Sequence, residues 1–397
     1  MERLFIFLGL IKSSSNSRTE AKTKPLSYGS LKSIAQWLEA NKRFELSRHL
    51  SNFRFTEKLV PLKLDYLSIG PMEVTINQTL HQLGIYREFH KGHETPRRIL
   101  YENWKGGVRY DMDQWGCEES PLLFPGEIDL YYERRPPRPT RRENVERLEE
   151  LRNLDSLDFL ENYPFARILF MDEPQIDESE LLSLTLEVED LPAPYDSFLQ
   201  YFQITQDSIR LQETKYKAGS LLAAYRNMLH EMFGGRKGTV EVRRMEILDL
   251  EIVVPLPAGI KFKVQELVIP ECEQLNFTLK KVSAILDKTS FPLSVLEVQW
   301  DSNMIHSLKN RIAQNAKTLV IKGSPPSHRG FFQVLPGNVH QASDGLSSID
   351  HSQMIRYWLE VQPEMGTKFS TGFEKERDLY EAMLKVMEEF GRLNRLK

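Results

Sequence analysis

Apolar and polar positions along this chain follow two periods, and the switches between them mark out its elements. From Leu26 to Phe53 the pattern is helical: Ser27 stands where an N-cap belongs, and Leu31, Ile34, Ala35 and Leu38 form an i, i+3, i+4, i+7 stripe. Asn41 interrupts the run and predicts the cap of a second helix, with Leu46, Leu50 and Phe53 on one side. Two short amphipathic helices at a tight turn bury too little surface to stand alone, so this hairpin has to pack on something. Beyond it the period becomes two. Leu62 and Leu64, then after Asp65 Leu67 and Ile69, alternate imperfectly with polar neighbours, and Gly70-Pro71 predicts a turn into a strand at Val74-Thr75-Ile76. Val108 to Tyr110 and Ile128 to Tyr132 are further short strand candidates in a stretch rich in Gly, Pro and aromatics.

The segment RRPPRPTRR from Arg134 to Arg142 excludes helix at its prolines and reads as a stiff basic linker, a proline-groove ligand or nuclear-import patch being the sharper alternatives. Val145, Leu148, Leu151 and Leu154 predict one helix after it, and Ala166 to Phe170 and Leu182 to Val188 read as strands. A helix is predicted from about Lys215 to Phe233, with Ala218, Leu221, Leu222, Tyr225, Leu229 and Met232 on one face and a stop at Gly234-Gly235.

Just beyond that stop a strand-like phrase recurs four times: Met245-Glu246-Ile247, Leu267-Val268-Ile269, Leu296-Glu297-Val298 and Leu319-Val320-Ile321, at spacings of 22, 29 and 23 residues. Such a period with an apolar-x-apolar core predicts a strand-plus-helix solenoid close to the leucine-rich-repeat range, whose phrases are adjacent inward rungs of one sheet. Leu279, Val282 and Leu286 are expected over the Leu267 rung. Two helices close the chain. One carries Met354, Ile355, Trp358 and Leu359; the last carries Tyr380, Met383, Leu384, Met387 and Phe390 and is placed as a lid on the final repeat.

The 397 residues leave room for two or three domains, and a net charge of −4 argues against wholesale binding to nucleic acid or to a membrane surface. Two cysteines, Cys117 and Cys272, build neither a disulfide framework nor a zinc module and suit a reducing compartment, cytoplasm or nucleus. No apolar run approaches the roughly 18 residues of a membrane span. The apolar octet Leu4 to Ile11 follows Met1-Glu2-Arg3, which lacks the net positive charge of a signal peptide, so a disordered leader is expected over residues 1–24.

The candidate chemistry is sparse. Gly234-Gly235-Arg236-Lys237-Gly238 has glycines and a lysine, but its order is helix then strand and Gly238 follows Lys237, which is a helix stop and turn rather than a phosphate loop. His90, His93 and Cys117 lack a fourth ligand and a zinc spacing. The pairs Asp111/Asp113 and Glu127/Asp129 have no partner acid or base nearby and read as solvated strand edges. No nucleophile elbow occurs. The expectation is a protein that is not an enzyme and needs no cofactor or metal.

Pro25-Leu26-Ser27-Tyr28-x-Ser30-Leu31-Lys32, Leu38 to Arg43, Leu46-Ser47, and Thr56-Glu57-Lys58-x-Val60-Pro61-Leu62-Lys63-Leu64 together resemble the opening of a nematode-expanded family of F-box-like proteins, often labelled F-box C proteins. Tyr110 to Asp113 with Gly116, Pro125 to Leu130, Met232 to Lys237, Pro257 to Phe262, Ile355 to Glu360 and Gly366 to Phe369 extend the resemblance over nearly all of the chain from Pro25. The resemblance implies an F-box: a helical module that docks on a Skp1-like adaptor of a cullin ubiquitin ligase, followed by a domain that holds an unknown protein substrate. Leu26, Leu31, Ile34 and Leu38 fall where that module keeps its apolar contacts. No acidic residue follows the initial Pro-Leu, and Leu50-Ser51-Asn52-Phe53-Arg54 replaces the Val-Cys-x-x-Trp ending common in F-boxes. A purely structural hairpin in an intracellular scaffold is the alternative.

The fold class expected is α+β. It comprises an F-box-like helical hairpin at 25–60, a β-rich irregular region at 61–133 and the basic linker at 134–142. A mixed α/β segment at 143–205 and a leucine-rich-repeat-like α/β domain with a helical cap at 206–397 complete it.

Overall fold

The computed structural model describes residues 26–131, 139–155, 178–205, 208–217, 220–250, 252–270, 274–300, 304–323, 335, 338–342, 351–362, 366–373 and 376–393. Three short helices come first: α1 (Tyr28–Trp37), α2 (Ala40–His49) and α3 (Ser51–Lys58). Ser27 caps α1 as expected, its Oγ accepting from the Ser30 N–H. Glu39 rather than Asn41 caps α2, because its carboxylate takes the N–H groups of Asn41 and Lys42. Leu50 is extended and ends α2, so the expected second helix is two helices and the hairpin is a three-helix unit.

The chain then runs β1 (Leu62–Gly70), β2 (Glu73–Ile76), β3 (Thr79–Phe89), α4 (Arg97–Trp104), β4 (Ile128–Asp129), α5 (Arg141–Asp155) and α6 (Glu178–Glu189). Next come β5 (Tyr195–Thr205), β6 (Ser208–Lys217), α7 (Leu221–Phe233), β7 (Val240–Ile247), β8 (Val253–Val254), β9 (Phe262–Ile269) and α8 (Leu275–Ser283). The last part holds β10 (Val295–Gln299), α9 (Met304–Ser307), α10 (Arg311–Asn315), β11 (Leu319–Lys322), β12 (Asn338–Ala342), α11 (His351–Val361), β13 (Lys368–Thr371) and α12 (Glu376–Leu393).

One mixed sheet of eleven strands organises these elements, in the order β13-β12-β11-β10-β9-β7-β1-β2-β3-β5-β6. From β13 to β1 every pairing is parallel; from β1 to β6 every pairing is antiparallel. The four recurring phrases are adjacent and in register: Met245 pairs with Leu267, Leu267 with Leu296 and Leu296 with Leu319, and all four are buried. Leu67 extends the rung on one side, and Val339 then Phe369 on the other. Leu275, Leu279 and Val282 of α8, with Leu286 beyond it, are buried in the same core as the Leu267 rung. Since β1 stands between β7 and β2, the sheet runs through both the 61–133 and the 206–397 segments.

The imperfect alternation in β1 has a physical cause. Inward positions step from Leu64 to Leu67, from Val242 to Met245 and from Val264 to Leu267, so three neighbouring strands turn two consecutive residues outward at the same level. Asn77, at φ 54°, accepts from the freed N–H groups of Asp65 and Tyr66 at 2.9 and 3.3 Å.

Several expectations are corrected. Leu182 to Val188 lies inside α6, where Leu181, Leu184 and Val188 pack on Leu148 and Leu151 of α5. Lys215 to Lys217 ends β6 and not a helix; α7 starts only after Ser220, whose Oγ caps it through the Ala223 N–H. The strands β5 and β6 were not foreseen. Arg141 and Arg142 already belong to α5, started by a reciprocal Thr140–Glu143 capping box. The last helix is not a buried lid: Tyr380, Met383 and Met387 are more than half exposed. The leader, most of the Pro-rich linker and Ala166 to Phe170 lie outside the described residues.

Candidate functional site: the N-terminal helical unit and its joint with the sheet

The stripe predicted from sequence splits in two. Leu31, Ile34 and Leu38 come together, half-buried, around a small core of Ala35, Leu46, Phe53 and Val60 that is separate from the core of the sheet. Leu26 lies outside this group and is exposed. The strongest apolar exposure is on residues the stripe did not name: Trp37 at 90%, Phe55 at 76% and Tyr28 at 57%. Trp37 carried a sequence signal, an aromatic on the polar side of an amphipathic helix, where only water or a partner can meet it.

The unit is clamped to the sheet at its base. Glu57 sits between two buried arginines, with Oε1 3.0 Å from Arg43 Nη2 and 2.7 Å from Arg236 Nη2. Arg43 also donates to the carbonyls of Glu57, Val60 and Pro61, which ties α2 to the end of α3. Arg236 donates to the Met232 carbonyl and lies 5.6 Å over the Phe44 ring, and Phe44 packs edge-on against Phe233. Lys58 caps the C-terminal end of α7, its ammonium donating to the carbonyls of Glu231 and Gly234 at 2.6 Å each. The glycine-rich turn of the sequence is therefore a joint: Gly235 has φ 66°, and a Cβ on Gly238 would come within 2.9 Å of the Val60–Pro61 backbone.

Electrostatics follow from this burial. Desolvation lowers the pKa of Arg43 and of Arg236, and Glu57 opposes it in both. Burial, then the charge of Arg236, brings Lys58 down to about 8. A second contact joins α2 to the meander: Asn41 Nδ2 donates to the Ile76 carbonyl, and its Oδ1 meets His81 Nε2 at 3.0 Å. Burial, with Arg48 nearby, lowers His81 to about 3. The neutral ring then has one proton, which the Asn41 oxygen places on Nε2, leaving Nδ1 to accept from the Tyr201 hydroxyl at 2.6 Å.

Away from the helical cores the sheet carries a charged lattice. Tyr66 donates to Glu246 at 2.6 Å; Arg244 meets Glu266 and Glu297; Lys322 reaches Glu297 at 2.6 Å and Lys263 reaches Glu241 at 3.3 Å. Burial opposes ionisation of Glu297, but the bonds from Lys322 and Arg244 outweigh it and hold its carboxyl below the usual value. A separate cavity of about 320 Å³ includes Glu102, Cys117, Asn144 and Glu187 in its wall. There the Cys117 thiol and the Asn144 amide both donate to Glu187, while Glu102 is neutralised by Arg87. Glu187 thus accepts from two donors at once, and Glu102 is held by a buried arginine.

Among the described residues no helix is long and apolar enough to cross a membrane, and no group of three or more His, Cys, Asp or Glu is placed to hold a metal ion. Residues 221–375, from α7 to just before α12, match the model of a domain of unknown function (DUF3557). No curated protein and no solved structure matches the chain.

Proposed function

We propose that this chain is a non-enzymatic interaction protein of the F-box type. The three-helix unit docks a Skp1-like adaptor through α1, using exposed Leu26, the exposed parts of Leu31, Ile34 and Leu38, and Trp37 on the neighbouring side of the helix. The seven parallel strands act as a leucine-rich-repeat-like scaffold, and their charged face holds a protein substrate. The observation that carries this reading is Trp37, 90% exposed at the end of α1 on a unit whose base is clamped by buried charges. A rigid mount for an apolar, aromatic face is what a docking module requires, since such anchors supply most binding energy at interfaces. The reading places the protein in the cytoplasm or nucleus, where cullin ligases work.

The scaffold alternative draws on a different observation: Leu31, Ile34 and Leu38 already pack on the unit's own core. Co-purification with Skp1 separates the two. Trp37→Asp leaves that core intact and abolishes capture if the face docks an adaptor, whereas Leu31→Asp also loosens the unit. A wild-type chain that never captures Skp1 favours the structural role and removes the adaptor reading.

A further inference from the structure

A concave site of about 240 Å³ lies where α2 and α3 meet the C-terminal end of α7. Ser47, Arg48, Arg54, Lys58 and His230 line it, together with a single acid, Glu231. Glu231 is 60% exposed and stands 3.6 Å from Arg48, so it offsets at most one of these charges. Behind the wall the triad of Arg43, Glu57 and Arg236 adds another net positive charge, and Arg43 Nε and Arg236 Nη1 are buried donors with no partner among the described residues. Ser47 is 92% buried by its 8% exposure, and its hydroxyl is likewise without a partner. This positive focus belongs to a chain whose net charge is −4, so it is a local construction and not a consequence of composition.

We propose that this cleft binds a phosphate monoester dianion, held by Arg54 and Lys58 with the Ser47 hydroxyl as a further donor. Three cationic side chains line this one concavity, and with Arg48 engaged by Glu231 and the Tyr201 ring, Arg54 and Lys58 together suit a doubly charged tetrahedral oxyanion better than a single carboxylate. Arg54 is exposed, and among the described residues only its Nε is used, donating to the Ser47 carbonyl at 3.0 Å, which leaves its terminal nitrogens for a ligand. Lys58 spends two hydrogens on the α7 carbonyls and keeps a third. Burial is the main cause of the lowered Lys58 pKa, with the charges of Arg236 and Arg54 acting in the same direction and Glu57 and Glu231 against it. The proposal is independent of adaptor docking, because the cleft lies at the base of the unit and Trp37 at the end of α1.

The test is calorimetric titration of the full chain with inorganic phosphate at fixed ionic strength, then with a phosphoserine peptide and its unphosphorylated counterpart. Saturable phosphate binding is expected, weakened about tenfold by Arg54→Gln, the loss of one charge-assisted bond. Ser47→Ala, which removes a hydroxyl with no partner among the described residues, should weaken it severalfold without changing the melting temperature. Arg142→Gln, at an 88% exposed arginine far along the chain, should bind as wild type. A phosphopeptide at least tenfold tighter than phosphate assigns the monoester to a modified protein; equal affinity assigns it to a free phosphate compound. No saturable binding at about 10 mM phosphate, or Arg54→Gln and Arg142→Gln behaving alike, overturns the site. Skp1 capture is read separately, so failure here leaves that test untouched.

Discussion

Glu57→Gln is the sharpest perturbation of this structure. The change is nearly isosteric, removes one negative charge, and leaves Arg43 and Arg236 buried, with side chains 3% and 1% exposed. A buried ion pair adds little net stability when formed, since desolvation offsets attraction. Breaking one is costly because the surviving charge has neither solvent nor counter-charge, typically about 3–5 kcal/mol. Here two cations are stranded, so the upper part of that range is expected, a large share of a total stability of about 5–15 kcal/mol. Arg236→Met should cost less, about 1–3 kcal/mol, because the Arg43–Glu57 pair survives it. Combining the two substitutions should cost less than their sum, with a coupling of about 1–3 kcal/mol, because removing Arg236 relieves one of the stranded charges. Urea unfolding followed by circular dichroism gives the energies, and hydrogen exchange on α1 to α3 shows whether the helical unit loosens before the sheet. High salt should not rescue the variant, since buried pairs are poorly screened. A Glu57→Gln protein within about 0.5 kcal/mol of wild type would mean that water reaches the triad and that it is not the clamp.

Other measurements probe the rest of the frame. Leu267→Ala and Leu319→Ala, at rungs 1% and 0% exposed, should each cost about 2–5 kcal/mol in the same assay. Gly84→Ala should be more disruptive than Gly92→Ala, because its Cβ would lie against the Gly106 carbonyl, whereas at Gly92 there is open space and only the φ of 96° strains the new side chain; matched thermal melts decide it. Lys58 is held near 8 when folded and at 10.5 in its ordinary state, so the folded chain binds fewer protons between those values. Stability should therefore rise as pH climbs from about 8 to about 10.5, by less than about 1.4 kcal/mol per pH unit after screening, and Lys58→Met should flatten that rise.

What sequence could show of this fold depended on whether a residue's role was local. Met245, Leu267, Leu296 and Leu319 were legible because a parallel strand inside a layered fold repeats the same apolar-x-apolar phrase wherever helices cover it. The outer rungs escaped for reasons equally local: Val339 is followed at the next inward position by buried Gln341, and Phe369 by polar neighbours. Leu182 to Val188 alternates cleanly and still forms helix, because the stripe of Leu181, Leu184 and Val188 finds Leu148 and Leu151 of α5 to cover it. Packing chose between two periods that the residues allowed. The same limit hid the joint. Arg43, Glu57 and Arg236 each look like a solvated charge, and the partners Glu57 and Arg236 stand 179 residues apart. A period reports which side of an element faces inward; it does not report which distant element arrives there. Only the turn hinted at it, since Gly238 leaves room for Val60 and Pro61 where any side chain would collide. A glycine without a positive φ marks a close approach of backbone, and here that backbone is the junction between α3 and β1.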